Sequence, residues 1–145
     1  MALELLFAAG CLAQPIAADE CRREWIRLEG TWERVSYLNE GRSLPAEAAV
    51  RFTLSLGRDG SYRLHVDERL IVEGKASIDP TQKPKIVDMT PQAGSSKGKP
   101  LLGIYELDGD IYRICYAHGG KPRPRSFSAE PGSGQVLIVY RRKKM

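Results

Sequence analysis

The residues of this chain best equipped for chemistry are its tyrosines, three of which, Tyr105, Tyr112 and Tyr116, crowd into one short stretch. A phenol ring offers an apolar wall with one hydroxyl, and that hydroxyl needs a partner once buried. With Phe52 and Tyr62 these rings suit the lining of a pocket for a small, partly apolar molecule, in which apolar surface gives affinity and a few polar groups give orientation. The same rings suit the simpler task of filling a narrow interior, and residue types alone leave both open.

Other chemistries fare worse. Cys115 and His118 have a Cys-x-x-His spacing, but a structural zinc site takes four ligands and His65 is the only other histidine. No metal and no cofactor is expected. Ser126 and Ser128 lack the flanking glycines of a nucleophile elbow. Asp88, Glu106 and Glu73 are scattered along strand-like runs, where carboxylates commonly face solvent rather than act as acid and base. Pro131-Gly132-Ser133-Gly134 leads into a strand-like run and not a helix, so it reads as a turn rather than a phosphate loop. A non-catalytic protein is the expectation. The loop with most charge to offer a ligand is Gly119-Gly120-Lys121-Pro122-Arg123-Pro124-Arg125. Its prolines stiffen it, and Lys121, Arg123 and Arg125 would form a cationic rim at one end of the fold, or simply ride on an ordinary connection.

These side chains need a scaffold, and hydrophobic periodicity predicts one. Residues 19–28 read as a helix: Asp19 caps it, Asp19 and Glu20 suit its first turn, and Cys21, Trp25 and Leu28 share a face until Gly30 stops it. The period then changes from 3.6 to 2. Segments 31–38, 50–56, 61–66, 70–78, 85–90, 101–107, 111–117 and 136–142 read as eight strands. Val50, Phe52, Leu54 and Leu56 alternate on one face, Arg58-Asp59-Gly60 turns the chain, and Tyr62, Leu64 and Val66 return. Gly74 predicts a bulge or bend in the fourth strand. A single helical turn is expected over Pro45–Ala49, and a short extended piece over Ser126–Ser128.

The architecture expected is all-β: an eight-stranded antiparallel up-and-down barrel with a short N-terminal helix. Closure leaves no strand edge open to aggregation, and eight strands enclose either packed side chains or one small ligand. With Asp108 and Gly109 as the central residues of a two-residue turn, Tyr105 opposes Tyr112 and Gly103 opposes Ile114. That pairing turns Leu101, Tyr105, Leu107, Tyr112, Ile114 and Tyr116 inward, and leaves Glu106 and Arg113 as a diagonal pair outside. The inward residues expected to meet a ligand are Trp32, Phe52, Leu54, Tyr62, Leu64, Tyr105, Tyr112 and Tyr116.

A chain of 145 residues, 42% hydrophobic and 28% charged, is one domain with enough apolar content for a core. A net charge of +4 is mild, and the run Arg141-Arg142-Lys143-Lys144 comes with no nucleic-acid-binding module, so no nucleic-acid partner is expected. Residues 1–18 stand apart from the domain at 19–145: they are nearly all apolar or small, and Ile16-Ala17-Ala18 resembles an export-signal cleavage site. Glu4, and the lack of Lys or Arg there, fit instead a short N-terminal segment that packs on the domain or stays mobile. Export to the periplasm or cell envelope is one expectation and a cytoplasmic location the other; a monomer without a membrane span is expected. Of the three cysteines, Cys21 and Cys115 could pair in an oxidising compartment; two buried free thiols are the preferred reading.

Beyond these physical readings, the chain resembles a known family from about Leu28 to Arg142. The matching pieces are Leu28-Glu29-Gly30-Thr31-Trp32, Asp79-Pro80 with Lys83-Pro84-Lys85, Val87-Asp88-Met89-Thr90, Gly103-Ile104-Tyr105-Glu106-Leu107-Asp108-Gly109-Asp110, Cys115, Arg123-Pro124, Phe127 and Pro131-Gly132-Ser133-Gly134. As a set they resemble the uncharacterised lipocalin-like domain abundant in planctomycete proteins. The resemblance implies a small calycin-type barrel, often exported, with no established catalytic residues. In lipocalins at large, a tryptophan in the position of Trp32 lies at the closed end beneath an arginine of the last strand, a role open here to Arg141 or Arg142. Two functions follow as expectations: a non-catalytic barrel for a small, partly apolar or anionic ligand, or a filled barrel whose basic loops contact another protein. An isomerase or hydrolase working inside the barrel is a distant third.

Overall fold

The computed structural model describes residues 18–43, 50–93 and 97–144. The segment before residue 18 and the turn expected at 45–49 lie outside the described residues. Among those described, the order is α1 (Ala18–Leu28), β1 (Gly30–Asn39), β2 (Arg42–Ser43), β3 (Phe52–Leu56), β4 (Ser61–Val66), β5 (Arg69–Asp79), β6 (Lys85–Pro91), β7 (Leu101–Asp108), β8 (Ile111–Ala117) and β9 (Gln135–Arg142). Each long strand pairs antiparallel with the next, and β9 returns to β1, so eight strands close an all-β barrel. The two-residue β2 extends β1 beyond the ring. The piece expected at Ser126–Ser128 is loop, not strand.

Alternation explains what faces inward. Trp32, Leu54, Leu56, Tyr62, Ala76, Ile78, Val87, Tyr105, Tyr112, Ile114, Val136, Ile138 and Tyr140 form one buried cluster with Cys21, Trp25 and Leu28 of α1. Register also defines two ends. Gly30, Leu56, Ser61, Asp79, Lys85, Asp108 and Arg142 lie at one, which α1 covers; Asn39, Phe52, Val66, Arg69, Pro91, Leu101 and Gln135 lie at the other.

Two local expectations are corrected. In the β7–β8 hairpin, Asp108 pairs with Ile111, Leu107 with Tyr112 and Tyr105 with Ile114, so the central turn residues are Gly109 and Asp110. Of these only Gly109 has a positive φ, 59°, which fits the hairpin class that wants glycine first rather than second. The pairing therefore slips by two residues. An even slip keeps every side chain on its expected face. It also puts Glu106 directly opposite Arg113, where they form an ion pair on the outer wall. The second correction concerns β5. Its bulge falls at Ile71, between the pairs Leu64–Val72 and His65–Leu70, and not at Gly74. Gly74 serves close packing instead: a Cβ there would stand 2.3 Å from the Thr90 carbonyl oxygen and 2.7 Å from the Tyr62 hydroxyl.

Candidate functional site

At the covered end, the last turn of α1 leaves carbonyl oxygens without helical partners. Trp32 and Arg142 take them up. The Trp32 indole donates to Leu28 O at 2.9 Å, and the Arg142 guanidinium donates to Glu29 O at 3.0 Å and to Arg27 O. Arg142 also lies over the Trp32 ring, 4.2 Å from its centroid. Of the two candidate cations, Arg142 is the one above Trp32; Arg141 is exposed and pairs in register with Glu33 and Ile111. Gly30 turns the chain between helix and barrel at φ 135°, with Arg142 pressed against it.

A carboxylate lies beside this joint. Glu24 is 1% exposed, accepts hydrogen bonds from Lys85 Nζ and the Tyr105 hydroxyl at 2.8 Å each, and lies 3.1 Å from the Arg27 guanidinium. Burial pushes its carboxyl pKa up, but the hydrogen bonds and positive charges around it win, and the group is held below its ordinary value. The same environment raises Tyr105 above its ordinary value, through burial first and the Glu24 charge second. Sequence reading missed Glu24. Its only signal is its place on α1, three residues after Cys21 and four before Leu28, where a carboxylate on the buried face demands a partner.

Above this floor the barrel is open inside. A cavity of about 530 Å³ begins at Trp25 and Leu28 and ends among Leu70, Ile71, Val72, Ala93 and Leu101 at the far rim. Its wall is apolar (Leu54, Leu56, Leu64, Ala76, Ile78, Val87, Met89, Ile114, Ile138), relieved by Tyr62, Tyr112, Tyr116 and Tyr140. Among its described lining residues the one carboxylate is that of Glu73, paired with Arg63 at 3.5 Å. Burial raises all four tyrosines, Tyr62 to about 12 and the others further, so they are neutral hydroxyls at any ordinary pH. The Tyr112 ring lies between those of Trp32 and its cross-strand partner Tyr140, at centroid spacings of 5.6 and 6.0 Å. Leu70, Ile71 and Val72 are exposed at the rim by 42, 44 and 37%, so the entrance is apolar too.

Of the eight inward residues expected to meet a ligand, Leu54, Tyr62, Leu64, Tyr112 and Tyr116 line this cavity. Trp32 is buried beneath Arg142, the Tyr105 hydroxyl turns to Glu24, and Phe52 lies under the Arg34 guanidinium, 3.5 Å from its ring centroid. The helix floor at Trp25 and Leu28 was not foreseen as lining, because periodicity shows which face of α1 is buried but not against what.

The basic loop lies along the outer wall. Arg123 donates to Asp88 Oδ1 at 2.6 Å and to Gly103 O at 2.8 Å, spanning β6 and β7 from outside. Arg113 lies over Phe127, and Gln135 and the Cys115 thiol donate to Ser128 O at 2.7 and 3.2 Å. Lys121 and Arg125 are exposed. Cys115 is a free, buried thiol whose pKa burial pushes up, and Cys21 is disulfide-bonded. The Cys21–Cys115 pair is therefore not made, and of the two free thiols expected only Cys115 is one. His118 turns from Cys115 to Asn39 Oδ1, at 3.1 Å. Among the described residues no group of three or more His, Cys, Asp or Glu side chains is placed to hold a metal ion, and no helix is long and apolar enough to cross a membrane. No protein-family model matches the chain, and none of the curated proteins does.

Proposed function

We propose that this protein is a non-catalytic, lipocalin-like barrel that binds a small, largely apolar molecule in its interior. The observation that carries the reading is the cavity of about 530 Å³ between the α1 floor and the apolar rim. That volume lies in the range of small-molecule sites, and its make-up, aliphatic wall with a few neutral hydroxyls, matches their chemistry. The open interior favours this reading over a filled barrel acting through basic loops, as does the engagement of Arg123 with the barrel's own wall. Among the described residues the one fully buried carboxylate, Glu24, is tied to Lys85 and Tyr105 and is not among the lining residues, which favours binding over acid–base chemistry. Membership of the lipocalin-like family rests on the motif set and on Arg142 above Trp32; the apolar, small-residue stretch before Asp19 favours export.

Trp25 in the cavity floor supplies an intrinsic reporter. Titration with 8-anilinonaphthalene-1-sulfonate should give saturable one-to-one binding with altered tryptophan emission. Native mass spectrometry of gently purified protein should show a retained small mass. Absence of both a retained mass and saturable probe binding would sink the reading.

A further inference from the structure

A second recess lies in the barrel wall. Pairing between β1 and β3 ends at Glu33–Thr53, and beyond that point the two strands part. On its other side β1 stays paired with β9 but carries an extra residue, Val35, between the pairs Arg34–Tyr140 and Ser36–Val139. A bulge re-aims the side chains around it. The result is a cleft of about 370 Å³ lined by Arg34, Arg51 and Arg141 together with Ser36 and Phe52, with Glu33 as the one carboxylate among its described lining residues.

Among the described residues the charges there do not balance. Glu33 lies 3.8 Å from Arg51. Arg34 and Arg141 have no carboxylate partner among the described residues; Arg34 meets only aromatic faces, Phe52 at 3.5 Å and Tyr37 at 5.0 Å. Aromatic stacking holds a guanidinium plane in place while leaving its edge N–H donors for a planar or tetrahedral oxyanion. Three guanidinium groups against one carboxylate in a recess also concentrate positive potential.

We propose that the cleft between β1 and β3 is an oxyanion site, with Arg34 as its fixed donor and Arg141 and Arg51 as flanking cations, which takes a phosphate group, free or on a lipid headgroup. The cleft shares no lining residue with the interior cavity, and the two are probed by different ligands, so either reading survives failure of the other.

The test follows the arginine Nε–H resonances of the whole protein in low-chloride buffer during titration with inorganic phosphate, alongside co-sedimentation with phosphatidylcholine vesicles with and without phosphatidic acid. A saturable shift at the Arg34 signal, with affinity reduced at least about tenfold in R34Q and in R141Q but unchanged in K99Q, supports a free oxyanion. Vesicle binding that needs phosphatidic acid and is lost in the same two variants supports a headgroup. Lack of a saturable response to either probe, or a response equal in wild type, R34Q and R141Q, overturns the site. Because Arg141 is exposed at a strand end, R141Q decides the matter even if R34Q does not fold.

Discussion

Arg142 of the last strand lies over Trp32 of the first, 4.2 Å from the ring centroid, while both side chains donate to the carbonyl end of the helix that precedes the barrel. One pair of residues thus closes the ring of strands, covers its floor aromatic and caps α1. Arg142→Ala removes a cation–π contact and two hydrogen bonds from a partly screened place, and a loss of about 2 kcal/mol is expected. Arg142→Lys should recover only the charge, because a single ammonium cannot reach both Arg27 O and Glu29 O while stacking. Urea denaturation of the two variants checks this, with Arg141→Ala as a near-neutral comparison.

Glu24 gives the fold a pH dependence at its acid end. Its folded pKa is lowered, so its contribution to stability is fully present above the unfolded value near 4.5 and is lost as pH falls through the lower folded value. Glu24→Gln keeps the shape and an acceptor for Tyr105 but gives up the charge beside Lys85 and Arg27. It should cost roughly 2 kcal/mol at neutral pH. The gap between wild type and variant should stay level down to about pH 5 and narrow steadily below it. A gap independent of pH would show that Glu24 acts through packing rather than charge.

The barrel was legible in the sequence because strand alternation has a period of two, and each inward set could be read without knowing its neighbours. The β7–β8 hairpin shows the limit: Asp-Gly chemistry points to Asp108-Gly109 as the turn, Gly109-Asp110 is the turn, and only the even slip preserves the inward face. The site was less legible. Tyr62, Tyr112 and Tyr116 were found by type and parity, yet Tyr105, of the same type and parity, spends its hydroxyl on Glu24. Whether eight strands leave a void depends on how side chains tilt and on what floors the barrel. Neither the placement of Trp25 under the cavity nor that of Arg34 at the parting of β1 and β3 has a local signature in the chain.

Gly74 tests how the cavity wall is built. Gly74 pairs with Tyr62 on one side and Pro91 on the other, and the Tyr62 ring occupies the space a side chain would take. Gly74→Ala meets the Thr90 carbonyl, which is backbone and cannot step aside. The substitution should cost about 2 kcal/mol and displace Tyr62 toward the void. Thermal denaturation checks the first effect, and a lowered probe affinity in the surviving folded fraction checks the second.

Ala76 offers the opposite change, one that fills. It is 4% exposed, faces inward opposite Met89 and lines the cavity midway between floor and rim. Adding a ring to a well-packed core costs about 1–3 kcal/mol, whereas adding it beside an existing void buries apolar surface without overpacking. Ala76→Phe should therefore leave the melting temperature level or raise it, while reducing binding of 8-anilinonaphthalene-1-sulfonate by at least about tenfold, since the aromatic ring and the probe compete for one space. The two readouts must move apart for the interior to be the binding site. A strongly destabilised variant would mean that the wall around Ala76 is already full, and unchanged probe binding in a stable variant would place the probe on the outer surface.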